Sequence, residues 1–68
     1  MVTMKVVITL VDGFNIITHK IIPLVKEDEI LQAVDKLKEQ KRTFYVNLFA
    51  YDGKCKDTLH FEKGILQN

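Results

Sequence analysis

At 68 residues the chain has room for one small domain, 1–68, and a domain of that size buries only about 60% of its unfolded surface on folding. Ten Lys and Arg against nine Asp and Glu leave a formal net charge of +1, too small to point to nucleic acid or an acidic membrane through bulk electrostatics. The single cysteine, Cys55, excludes an intramolecular disulfide, and no apolar run approaches the roughly 20 residues of a membrane helix.

From Met4 to Val11 both alternating sets of positions are apolar. Met4, Val6, Ile8 and Leu10 share one face, while Val7 and Val11 stand with Lys5 and Thr9 on the other. A strand greasy on both sides belongs in the interior of a sheet. Asp12-Gly13 follows, a dipeptide suited to the positive φ of a tight two-residue hairpin turn. Phe14 to Val25 is the second strand, rich in Ile16, Ile17, Ile21 and Ile22. Pro23 lacks the amide proton a central ladder uses, which assigns it to a strand end or a sheet edge.

The period changes from two to about 3.6 between Lys26 and Lys41, where Ile30, Val34 and Leu37 form a stripe widened by Leu31 and Ala33. Glu27, Asp28 and Glu29 open this helix and Lys36, Lys38, Lys41 and Arg42 close it, an order that complements the helix dipole. Asp28 is the only good capping residue near its start. Thr43 to Tyr51 is then a strand with Phe44, Val46, Leu48 and Ala50 on one face and Tyr45, Asn47, Phe49 and Tyr51 on the other. Asp52-Gly53 is a second hairpin turn. Lys54 to Glu62 is expected to be a charged edge strand, with Cys55, Leu59 and Phe61 inward and Lys56, Thr58, His60 and Glu62 outward. Ile65 and Leu66 are unusual in a free tail and are expected to cover an edge or reach a partner.

The order ββαββ defines an α+β domain: a four-stranded antiparallel sheet, order 2-1-3-4, with one helix packed on one face. The first and third strands, the most apolar, take the centre, and Pro23 falls on an edge.

The motifs of catalysis are absent from the sequence. Cys55, Asp57, His60 and His19 are residue types that bind zinc, but no C-x-x-C or H-x-x-x-H pair occurs, and a regular strand sends Cys55 and His60 to opposite faces. The expected roles are a buried small thiol and a surface imidazole. There is no serine for a Ser-His-Asp triad, and the carboxylates of Glu27 to Glu29 lie in solvent. Three isolated glycines cannot form a phosphate-cradling loop. No enzyme activity, metal or cofactor is therefore expected.

One helix shields one face of such a sheet. If it covers Val6, Ile8, Leu10, Phe44, Val46 and Leu48, then Val7, Thr9, Val11, Tyr45, Asn47, Phe49 and Tyr51 are left on the open side. An aromatic and β-branched patch of several hundred Å² is larger than a monomer usually exposes. The expectation is a binding module, a small homodimeric accessory or regulatory protein whose open face is a protein–protein interface, with a second copy or another protein as partner. The alternative is single-stranded nucleic acid stacked on the sheet aromatics, although Lys5 alone is firmly on that face to hold phosphates. The opening residues Met1 to Lys5 lack a secretory pattern, so the expected compartment is the cytoplasm, with no membrane partner.

Overall fold

A computed structural model describes residues 4–67. Five strands and one helix follow in the order β1 (Lys5–Asp12), β2 (Asn15–Pro23), α1 (Glu27–Glu39), β3 (Thr43–Phe49), β4 (Cys55–Glu62) and β5 (Ile65–Gln67). All five strands form one antiparallel sheet in the order β2-β1-β3-β4-β5. The two strands apolar on both faces, β1 and β3, are central neighbours, and Pro23 closes the edge strand β2. The small α+β fold with one helix on an antiparallel sheet matches the sequence expectation; the strand count does not.

A fifth strand joins the four expected from the sequence. Lys63 and Gly64 both take positive φ, 52° and 83°, the pairing required by a two-residue type I′ turn. The turn folds Ile65–Gln67 back on β4, where His60, Phe61 and Glu62 face Gln67, Leu66 and Ile65. The chain end thus covers part of the edge of β4.

Both Asp-Gly turns exist, but neither uses its aspartate at positive φ. At the first, Asp12 and Asn15 are the last ladder pair and Gly13-Phe14 make the turn, with positive φ at Gly13 alone, as in type II′. At the second, the Gly53 N–H donates to the Ala50 carbonyl (3.0 Å) and the Ala50 N–H to the Lys54 carbonyl (3.0 Å), closing a three-residue loop over Tyr51, Asp52 and Gly53. The Asp52 carboxylate accepts the Lys54 N–H at 3.0 Å, which is its local contribution. Phe14 and Tyr51 therefore sit in turns, outside the strands expected to hold them.

The core lies between α1 and the sheet. Val6, Ile8, Ile22, Ile30, Phe44, Val46 and Phe61 are buried in one cluster, with Leu10, Ala33, Val34, Leu37 and Leu48 packed against it. Phe44 has no exposed surface and stacks on Phe61 with ring centroids 4.5 Å apart. Leu31 does not widen the helical stripe; it is exposed, and Ala33 completes the buried side. The helix is two residues shorter at its C-terminal end than its period suggests. Lys41 takes φ 54°, the Arg42 N–H reaches the Leu37 carbonyl (3.1 Å) and the Lys41 N–H the Lys38 carbonyl (3.1 Å), a Schellman ending. At the other end Lys26 occupies the cap position without a side-chain hydrogen bond, and Asp28 lies inside the first turn.

A candidate docking face on the open side of the sheet

Strand alternation and ladder register decide which side chains share the face opposite α1. From β1 come Lys5, Val7, Thr9 and Val11, and from β3 Thr43, Tyr45, Asn47 and Phe49. The register pairs Val7 with Asn47, Thr9 with Tyr45 and Lys5 with Phe49. Val7, Thr9, Val11, Tyr45, Asn47 and Phe49 are all half-buried there, while Tyr51 lies exposed in the β3–β4 turn. Among the described residues no element packs over this face, since the helix occupies the other side and every remaining element is a strand of the sheet itself.

The neighbouring strands add residues the sequence did not assign to the face. Opposite Val7 and Thr9 on β2 stand Ile21 and His19, both exposed. Opposite Tyr45 and Asn47 on β4 stand His60 and Thr58. The signal that identifies them is the pairing register, a long-range property that local period does not carry.

The face has two chemically distinct halves. Over β1 and β2 it is aliphatic, with Val7, Val11 and Ile21. Over β3 and β4 it is polar and aromatic. Tyr45 and His60 stack at 4.5 Å between ring centroids, and the Lys5 ammonium lies 5.6 Å from the centre of the Phe49 ring. The Thr58 hydroxyl donates to Asn47 Oδ1 at 2.8 Å, bridging the two strands. Such an amphipathic face suits an interface that opens and closes better than it suits the core of an obligate one.

Cys55 requires a correction. A bulge separates the pairs Leu48–Asp57 and Phe49–Cys55, leaving Lys56 unpaired. One inserted residue reverses the alternation beyond it. Cys55 therefore shares the open face with Thr58, its sulfur 3.5 Å from the Thr58 hydroxyl and 3.4 Å from the Asp57 carbonyl oxygen, and it is exposed rather than buried. Cys55 and His60 are not sent to opposite faces, yet they lie at different levels of the strand. Among the described residues no three His, Cys, Asp or Glu side chains converge on a point where a metal could sit.

A groove of about 350 Å³ runs between α1 and β2 on the helix side, with Ile8, Leu10, Ala33 and Leu37 in its lining and Lys20 and Lys36 among its polar residues. It is open to solvent, and no cysteine, histidine or carboxylate lines it. No helix among the described residues is long and apolar enough to cross a membrane.

The fold and its uncovered face define a small α+β protein with an unpartnered sheet surface. No protein-family model matches the chain, and comparison with curated proteins and with solved structures finds no match.

Proposed function

We propose that this chain acts by association rather than catalysis: a homodimeric interaction module of accessory or regulatory type, whose open sheet face docks another protein. The observation that supports this reading is the position of Val7, Val11, Tyr45 and Phe49, part-exposed side by side on the face that α1 does not cover. Withdrawing a further ~400 Å² of apolar surface would contribute on the order of 10 kcal/mol before association costs. The Thr58–Asn47 hydrogen bond and the Tyr45–His60 stack give the same face polar groups that can fix a partner's orientation.

The test pairs stability with binding. Phe49→Thr leaves unfolding stability within about 1 kcal/mol of wild type, because the ring is held for a partner and not for the core. The same variant fails to retain the protein that wild-type chain captures from the cells that make it. Identical capture by both, or a stability loss of the size a core substitution produces, contradicts the reading.

One observation favours a second reading. The stacked Tyr45–His60 pair with Lys5 over Phe49 is also the kind of surface on which unpaired bases stack. The reading ranks second because Lys5 is the one lysine or arginine placed on the face by the register.

A further inference from the structure

We propose that two copies of this chain join edge to edge through β2, antiparallel about a twofold axis at His19, to make one continuous ten-stranded sheet. Of the preceding reading it rests on the homodimer alone: self-association takes the β2 edge, including Ile21 and His19, and leaves the open-face residues of β1 and β3 free.

The backbone is the first ground. The Leu24 N–H donates to the Met4 carbonyl at 2.9 Å, and pairing alternates along an antiparallel ladder. Even-numbered residues of regular β2 therefore turn their amides toward β1, and those of His19 and Ile21 point away from the sheet. Pro23, also outward, lacks the donor and ends the usable stretch.

The side chains are the second ground. Phe14, Ile16, Ile17, Ile21, Leu24 and Val25 are all exposed, Phe14 completely. Together they present on the order of 600 Å² of apolar surface, against the roughly 800 Å² per partner of a standard interface. The other edge of the sheet is weaker: β5 has three residues, and the unpaired stretch of β4 carries Lys56, Asp57 and a bulge, whereas β2 keeps a regular run from Thr18 to Pro23 on one side of its own bulge at Ile17.

The third ground is self-complementarity. With the axis at His19, Ile17 faces the second copy's Ile21 and Thr18 its Lys20; the β2 bulge at Ile17 reverses the alternation beyond it, so the matched stretch ends there. Within the stretch Ile17 to Ile21 apolar positions meet apolar ones and polar meet polar. An axis at Lys20 sets Ile21 against His19 and Ile22 against Thr18; an axis at Thr18 sets Ile17 against His19. The same rotation runs the two helices antiparallel on one face of the sheet. The acidic first turn of each, Glu27 to Glu29, then lies toward the basic last turn of the other, Lys36 and Lys38.

Sedimentation velocity on the full chain, with circular dichroism to verify folding, tests the contact. Wild type is a dimer. Ile21→Lys, at an already exposed position, remains folded and raises the dimer dissociation constant at least about a hundredfold. Adding Ile17→Glu recovers at least about tenfold of that loss, because each new lysine then faces a new glutamate of the second copy. Phe49→Asp, on the open face, leaves the dimer intact. A monomeric wild type, or an Ile21→Lys chain that dimerises as wild type does, overturns the proposal. A dimer lost in Phe49→Asp and kept in Ile21→Lys overturns the edge contact while leaving the open-face reading in place. Should Ile21→Lys unfold, oxidation of a His19→Cys, Cys55→Ser chain decides: rapid covalent dimer at micromolar concentration supports the axis, and its absence refutes it.

Discussion

Gly64 lies so close to Lys38 that a Cβ on the glycine would stand 2.5 Å from the lysine carbonyl oxygen. The Gly64 N–H donates to the Arg42 carbonyl at 2.9 Å, so the β4–β5 turn rests directly on the end of α1. This one contact ties the last strand to the helix and sets how closely the helix end approaches the sheet. Gly64→Ala adds a clash with backbone to an unfavourable φ of 83°, and is expected to cost roughly 2–4 kcal/mol in urea unfolding. Gly53→Ala, at φ 84° with nothing within 4 Å of the added methyl, is expected to cost only about 1 kcal/mol.

Lys41 is the converse case. It ends α1 with φ 54°, a conformation an L side chain adopts at a penalty and glycine adopts freely. Lys41→Gly is expected to stabilise the protein by about 0.5–1 kcal/mol, read as a higher denaturation midpoint at unchanged slope. A loss of stability would show that the Lys41 side chain supports the helix end by more than its backbone conformation costs.

At the helix start, Lys26 holds the cap position without a side-chain bond, beside three acids whose charges suit that end. Lys26→Asp supplies an acceptor for the free N–H groups and a favourable charge, and is expected to add about 1 kcal/mol. Thermal unfolding monitored at a helical wavelength would record the gain.

Phe44 and Phe61 hold the core together from adjacent strands, one without exposed surface and both in a 4.5 Å stack. Phe44→Ala is expected to cost about 3–5 kcal/mol, enough to unfold much of so small a domain. Phe49→Ala, of identical chemistry on the opposite face of the same strand, is expected to cost far less. Equal losses at the two positions would mean that the open face is part of the core.

The nucleic-acid reading has its own measurement. Fluorescence anisotropy of labelled single-stranded oligonucleotides is expected to show no binding at physiological salt, since Lys5, at one end of the face, is the one lysine or arginine that the register places there. Binding that falls steeply with salt and is lost in Tyr45→Ala would transfer the face to nucleic acid.

The central part of this architecture was legible because its signals are local. Apolar residues on both sides of β1 and β3 mark interior strands, Pro23 marks an edge, and the 3.6-residue period of Ile30, Val34 and Leu37 marks the helix. What stayed hidden depends on single residues that break a pattern. Lys63 is not a residue type that announces positive φ, so the turn into β5 had no sign beyond Gly64. The unpaired Lys56 moved Cys55 to the other face. The contributions of His19, Ile21, Thr58 and His60 to the open face follow from register between strands, and no window along the chain contains that information.

Light scattering on wild-type chain across a concentration series up to several hundred micromolar decides whether this protein is a homodimer. A particle of twice the 7.9 kDa chain mass, dissociating only on dilution, is expected. A folded monomer throughout that range would contradict the homodimer.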